Sequence, residues 1–319
     1  MRRAKVSALS LLRMKRMKEK ICMVTCYDYP SASHVECAGV DVALCGDSLG
    51  MVELGYATTQ PVTLEEMLHH CRAVRRGLSD EGPMLVCDLP FGSYEESPEV
   101  ALRAAYRVMK EGGADAVKVE GGRSIAPSVS KLVKSGVAVL GHVGLLPQSI
   151  STLGGFRAQG RTAVKARSIL DDALALQDAG AFGVVAECVP PPLGRALSES
   201  LEIPVIGIGA GPFVDGQVLV YHDLLGALSH PHHRRFVPKF CKVFADLGDK
   251  AVEGLEAYKQ DVKQGTFPDD DYSPYEMPEE EAAKFQAMLD IDREVRAAKS
   301  KQVKQRLKDQ DEYETIHLY

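Results

Sequence analysis

The sequence predicts an α/β fold in which eight parallel strands close into a (βα)8 barrel, the TIM-barrel architecture. Two regularities point to it. Eight short, near-continuous apolar runs alternate with helical segments between residues 21 and 263. Strands of that kind belong to a parallel sheet covered on both faces, and eight repeats is the number that closes a barrel. Asp47, Asp88, Glu120, His142 and Glu187 each fall at the carboxyl end of such a run, the edge of a barrel that carries active sites. A doubly wound open sheet is the runner-up. It is disfavoured because no Gly-x-Gly-x-x-Gly follows the first strand and the nearest glycine cluster comes late, at the seventh.

Residues 21–27 read as the first strand, and Pro30-Ser31-Ala32-Ser33 opens a short helix that stops at Gly39. The second strand, 40–45, runs into Gly46-Asp47-Ser48-Leu49-Gly50. Thr63 and Glu66 have the spacing of a capping box, which starts a helix reaching Arg76. Strand three, 84–87, ends in Asp88-Leu89-Pro90-Phe91, and residues 98–112 have helical periodicity with proline near the start and glycine at the end. The fourth strand lies in 113–122, where Lys118 and Glu120 stand two apart and so share a face. A charge on a covered sheet is costly unless it is paired, hydrogen-bonded or bound to a metal. A return helix over 125–135 leads to strand five, 137–140, then Gly141-His142-Val143-Gly144-Leu145. A polar, glycine-rich segment, 147–161, precedes a long helix over 163–179. Strand six, 182–186, ends at Glu187; strand seven, 203–208, ends in Gly209-Ala210-Gly211. An eighth over 218–221 and a closing helix over 238–263 complete the pattern.

At 319 residues the chain is long enough for two domains, but α/β barrels of about 250 residues commonly form one. The expected division is a barrel with its opening helix over 1–268 and a charged extension over 269–319, helical or partly disordered. In that extension Phe285, Met288, Ile291 and Val295 make only a narrow apolar stripe. A composition of 45% hydrophobic and 26% charged residues is that of an ordinary globular protein, and a net charge of −6 argues against general nucleic-acid binding. No apolar run has membrane-spanning length, and the opening lacks the apolar core of a secretory signal, so an intracellular setting is expected. The Arg- and Lys-rich first twenty residues suit a mitochondrial presequence, but 7–20 also read as an ordinary amphipathic helix. Both mitochondrial and cytoplasmic settings stay open. Eight cysteines are scattered without a Cys-x-x-Cys pair, which predicts reduced, buried thiols.

Brought to one barrel mouth, these acids repel one another unless a cation balances them. Oxygen-only ligands suit Mg²⁺, with Asp47, Asp88 and Glu120 as the candidates. Zinc is disfavoured because no His or Cys pair has zinc spacing. A metal flanked by Lys118 suits a 2-oxo acid, whose carboxylate Lys118 or Ser48 would neutralise or hydrogen-bond. Glu187 is the candidate base for the acidified C–H, and His142 a donor to the enolate oxygen or the substrate carboxylate. A Schiff-base role for Lys118 and a silent scaffold are the competing readings. The histidines at 230, 232 and 233 fit an exposed loop.

Gly46-Asp47-Ser48-Leu49-Gly50, Cys87-Asp88-Leu89-Pro90-Phe91, Val117-Lys118-Val119-Glu120-Gly121-Gly122, Gly141-His142-Val143-Gly144-Leu145, Gln159-Gly160-Arg161, Ala186-Glu187-Cys188-Val189 and Ile206-Gly207-Ile208-Gly209-Ala210-Gly211 together, in that order, closely resemble the ketopantoate hydroxymethyltransferase family over residues 7–268. The resemblance implies a barrel of the phosphoenolpyruvate/pyruvate superfamily, a homodecamer, and hydroxymethyl transfer from 5,10-methylenetetrahydrofolate to 3-methyl-2-oxobutanoate. It also implies Mg²⁺ on Asp47, Asp88 and Glu120, substrate contacts from Asp47, Ser48, Asp88 and Lys118, and Glu187 as proton acceptor. Gln159-Gly160-Arg161 and residues 209–211 are expected to line the same mouth. The stretch 229–235 and the tail after Pro268 exceed the compact bacterial form.

Overall fold

The computed structural model describes residues 5–153, 155, 157–227 and 237–316; the histidines at 230, 232 and 233 lie outside them. Contacts divide the chain into two compact units, Met1–Ala251 and Val252–Tyr319. In the first, α1 (Ala8–Met17), β1 (Ile21–Thr25), α2 (Tyr29–Cys37), β2 (Val42–Cys45), α3 (Leu49–Val52), α4 (Leu64–Gly77) and β3 (Met84–Asp88) follow in order. They are succeeded by α5 (Pro98–Glu111), β4 (Ala116–Glu120), α6 (Ala126–Lys134), β5 (Val139–Gly144), α7 (Ile150–Leu153), α8 (Ala163–Asp178) and β6 (Gly183–Glu187). The unit is completed by α9 (Pro191–Ser200), β7 (Val205–Ile208), β8 (Gly216–Leu219), α10 (Tyr221–Leu224) and the start of α11 (Leu247–Gln264). Each strand pairs in parallel with the next and β8 pairs with β1, so the sheet is a closed (βα)8 barrel, as the sequence predicts.

Helix starts follow local chemistry. Thr63 and Glu66 form the expected capping box at α4, and Asp28 and Ser31 form one at α2. Ser97 caps α5 with Pro98 in its first turn. Residue parity then sorts the strands. Met23, Val42, Leu44, Met84, Val86, Ala116, Leu140, Val185, Ile206 and Val218 fill the bore, where they meet Val6 and, from α1, Leu11. The alternate positions, among them Ala43, Cys45, Leu85, Cys87, Val117 and Val119, pack in a second cluster with α4, α5 and α6. Lys15 on α1 pairs with Asp215 at 2.7 Å and donates to the Ser198 carbonyl.

Several boundaries differ from the sequence reading. β5 continues past Leu140 to Gly144 because β4 and β6 both pair with it there, which puts His142 inside a strand. The closing helix begins at Leu247, not near 238: Phe244 and Leu247 donate backbone hydrogen bonds to Leu224 and Leu225, an extended course that postpones the helix. The segment after Pro190 forms α9, since prolines in a first turn cost no intrahelical bond. All eight cysteines are free, but only Cys26, Cys45, Cys71 and Cys87 are buried. Cys22 lies on the outward parity of β1 and is exposed, and so is Cys37 at the end of α2. No helix among the described residues is long and apolar enough to cross a membrane.

In the second unit the Phe267 ring meets Tyr258 and Tyr272, and α12 (Glu279–Ile316) forms one long helix. Its Phe285, Met288, Ile291 and Val295 are exposed.

Candidate active site

Barrel parity carries the polar side chains to one mouth. Val86 faces the bore, so Asp88 two residues on does too; Ala116 does the same for Lys118 and Glu120, Leu140 for His142, and Val185 for Glu187. Asp47 follows β2 after Gly46, whose missing side chain matters: a Cβ there would come within 3.0 Å of Ser48 Oγ. A second glycine sets Glu187. Gly144 has φ +95, and a Cβ on it would collide with the Glu187 carbonyl, which instead accepts from Leu145 N at 2.9 Å. Cys188, directly after Glu187, has φ +50, a left-handed conformation that is strained for a residue with a side chain and often marks functional sites.

All seven candidates, Asp47, Ser48, Asp88, Lys118, Glu120, His142 and Glu187, line one cavity of about 980 Å³. Within it Lys118 Nζ pairs with Asp88 Oδ1 at 3.0 Å, and Asp47 N donates to Asp88 Oδ2 at 3.0 Å. Lys118 Nζ lies 3.5 Å from His142 Nδ1, and His142 Nε2 lies 3.2 Å from Glu187 Oε2. An ammonium facing Nδ1 makes that nitrogen the acceptor and leaves the imidazole proton on Nε2, which makes no hydrogen bond within the protein. The Ser48 hydroxyl caps no helix end and sits 2.9 Å from Tyr27 OH.

Two residues missed by sequence reasoning hold this set together. Gln148, fully enclosed, donates from Nε2 to Asp47 Oδ2 at 2.8 Å and to the Leu89 carbonyl at 3.0 Å. Its backbone N–H donates to Glu120 Oε2 at 3.0 Å. Tyr94 OH is 2.6 Å from Gln148 Oε1 and 3.1 Å from Glu120 N. The Gln148 side chain thus orients Asp47, its backbone N–H orients Glu120, and Tyr94 orients the side-chain amide. The only sequence signal was Pro147, a residue suited to a helix start that fixes the turn carrying Gln148.

Charge in the cluster is unbalanced. Burial pushes the Asp88 carboxyl up to about 7, against the pull of Lys118, and Asp47 adds to the rise. Burial and then Asp47 also drive Glu120 well above the usual carboxylate range. Burial opposes the Lys118 charge, yet Asp88, Glu120 and Asp47 outweigh it and hold the amine above its ordinary value. A lysine held cationic is a poor Schiff-base nucleophile. Burial, then Lys118, keeps His142 below the usual imidazole range. Glu120 Oε1 is buried without a hydrogen bond.

A surplus of buried carboxylates with an unsatisfied oxygen fits a hard cation. The three acids are not all drawn together, however. Among the described residues the group whose ligand atoms all lie within 4.8 Å of one another is Cys45, Cys71 and Cys87, not the carboxylates. Lys118 holds Asp88, Gln148 holds Asp47 and Glu120, and like charges favour distance between the carboxylates. Mg²⁺ tolerates this, because it takes one or two carboxylates directly and keeps several waters. Of the two glycine-containing segments expected at the mouth, Arg161 and Gly209 line the cavity; Gln159, Gly160, Ala210 and Gly211 are not among its lining residues.

Residues 5–270 match the family model described as ketopantoate hydroxymethyltransferase. The chain is 53% identical over 279 residues to 3-methyl-2-oxobutanoate hydroxymethyltransferase 1, mitochondrial, of Arabidopsis thaliana, covering 87% of this chain and 80% of that one. It is 51% identical to the 3-methyl-2-oxobutanoate hydroxymethyltransferase of Moorella thermoacetica, covering 85% of this chain and 98% of the relative. Among solved structures it resembles 2,3-dimethylmalate lyase, a member of the PEP mutase/isocitrate lyase superfamily, with a TM-score of 0.51 at 16% identity over 88% of this chain and 98% of that one. At that identity the likeness is one of fold.

Proposed function

The chain belongs to the ketopantoate hydroxymethyltransferase family, and we propose that it moves the hydroxymethyl group from 5,10-methylenetetrahydrofolate to 3-methyl-2-oxobutanoate through the enolate of that acid, giving 2-dehydropantoate for pantothenate synthesis. The observation that carries the reading is the convergence of seven polar side chains from five strand ends on one cavity of about 980 Å³. That space is at the upper end for ligand pockets, far more than a five-carbon acid needs, which supports a second, larger cosubstrate beside it.

Asp47, Asp88 and Glu120 would hold Mg²⁺. Once bound, the ion supplies Lewis-acid polarisation of the keto group, which acidifies the adjacent C–H. The residues then divide the work. Lys118 and Ser48 neutralise and hydrogen-bond the substrate carboxylate. Glu187 takes the C3 proton, and the electron pair moves onto the keto oxygen, to which His142 donates from Nε2. Water opens the methylene bridge of the folate, whose two C–N bonds break as both nitrogens take up protons and tetrahydrofolate leaves; C3 then adds to the aldehyde carbon so released, and the new alkoxide takes back the proton held by Glu187.

Incubation with 3-methyl-2-oxobutanoate and Mg²⁺ in deuterated buffer, without folate, is expected to exchange the C3 proton, as followed by NMR. EDTA should stop the exchange and Mg²⁺ restore it. Glu187→Gln should slow it at least about 100-fold, the usual worth of a positioned base, while leaving oxo-acid binding intact; exchange at the normal rate would remove Glu187 from its role. The decameric assembly implied by the resemblance belongs to this reading and is tested by light scattering on the full chain. The mitochondrial designation of the plant relative supports a mitochondrial setting, whereas the basic opening of this chain packs on the barrel as α1 and adds nothing to it; fractionation distinguishes a mitochondrial setting from a cytoplasmic one.

A further inference from the structure

The closest gathering of metal-ligating atoms in the described residues lies outside the catalytic cavity. The Sγ atoms of Cys45, Cys71 and Cys87 all lie within 4.8 Å of one another. They come from three elements: Cys45 ends β2, Cys87 is its register partner on β3, and Cys71 sits on α4. All three are fully buried and share one cluster with the helical layer, not with the bore. None lines the catalytic cavity. Apart from their contacts with each other, their hydrogen bonds are long ones, from Cys71 Sγ to the Gly112 carbonyl at 3.5 Å and from Cys87 Sγ to the Asp88 carbonyl at 3.6 Å.

Packing accounts for buried cysteines one at a time, as small hydrophobes. It does not call for three sulfurs from three elements to face a common point. We propose that Cys45, Cys71 and Cys87 form a binding site for a soft, thiophilic ion, with trivalent arsenic, delivered as arsenite, as its ligand. Three thiolates bring three negative charges into apolar surroundings, where only a neutral product is inexpensive. Trivalent arsenic cancels them; a divalent metal on three thiolates leaves a net charge.

The exchange balances without an oxidant. Three As–O bonds of arsenous acid break and three As–S bonds form. The three thiol protons leave with the three hydroxides as water, and arsenic stays trivalent. The site also reaches the chemistry through the chain: Cys87 is bonded to Asp88, and only Gly46 separates Cys45 from Asp47. Drawing the three sulfurs onto one atom moves the backbone that carries both carboxylates. Arsenite is therefore a slow inhibitor that does not compete with the oxo acid, slow because α4 must open to admit it.

The test uses the reduced, full-length protein with arsenite, zinc ion in a parallel arm, and native mass spectrometry. Expected is a gain of one arsenic less three hydrogens per chain, kept in Cys22→Ser/Cys37→Ser and lost in Cys71→Ser. No uptake, uptake that survives Cys71→Ser, or uptake lost with the two exposed cysteines overturns the proposal. So does zinc ion displacing bound arsenic. Because Cys71→Ser risks misfolding, arsenic X-ray absorption on the unsubstituted protein gives an independent readout: three sulfur neighbours support the site, and fewer refute it. These readouts do not depend on turnover, so their failure is separate from failure of the proposed reaction. Time-dependent loss of at least tenfold in C3 exchange is the expected functional effect.

Discussion

At the scale of single residues, the site depends on side chains that touch no substrate. Gln148 spends both side-chain amide hydrogens on Asp47 and Leu89 and its backbone N–H on Glu120, so truncating the side chain frees Asp47 to turn while the backbone bond to Glu120 remains. Gln148→Ala is expected to lower Mg²⁺ affinity or C3 exchange about 10- to 100-fold, the usual effect of removing a group that orients metal ligands. The diagnostic is a shifted Mg²⁺ dependence with a normal melting curve. Asp223, on the cavity wall, has its pKa raised by burial to about 6. The fold therefore favours its neutral form. Its stabilising contribution is intact below the unfolded value, near 4, and is lost as pH rises through about 6. Asp223→Asn should consequently flatten the fall in melting temperature between those two pH values. An unchanged profile would show that solvent screens the carboxylate.

Among the elements, the decisive contact is between the ends of β5 and β6. Leu145 N reaches the Glu187 carbonyl only because Gly144 has no side chain and a left-handed φ of +95. Gly144→Ala should cost on the order of 1–3 kcal/mol in strain, measurable by urea unfolding. It should also displace Glu187, so that C3 exchange falls while oxo-acid binding, read by calorimetry, persists. Equal losses in both would mean that the whole mouth, not the base alone, depends on this turn.

For the whole molecule, the division of labour follows the two units. Every side chain assigned to catalysis lies before residue 251, and Phe285, Met288, Ile291 and Val295 of α12 are exposed. A chain ending at Pro268 is expected to exchange the C3 proton at a rate within about twofold of the full chain, since no catalytic contact is removed. A collapse of activity would place the extension in the working assembly.

The barrel, the order of its strands and the identity of the acids were legible in the sequence, because apolar runs, caps and strand-end polar residues are local signals. Lys118 and Glu120 announced their common face by spacing alone. What chain order does not encode is what lies across the mouth. That Gln148 clamps Asp47 and Glu120 and that Tyr94 steadies Gln148 are products of barrel closure, whereas Cys45, Cys71 and Cys87 come together within the single β2–α4–β3 unit. Closure sets residues from distant segments at distances that no periodicity along the chain determines.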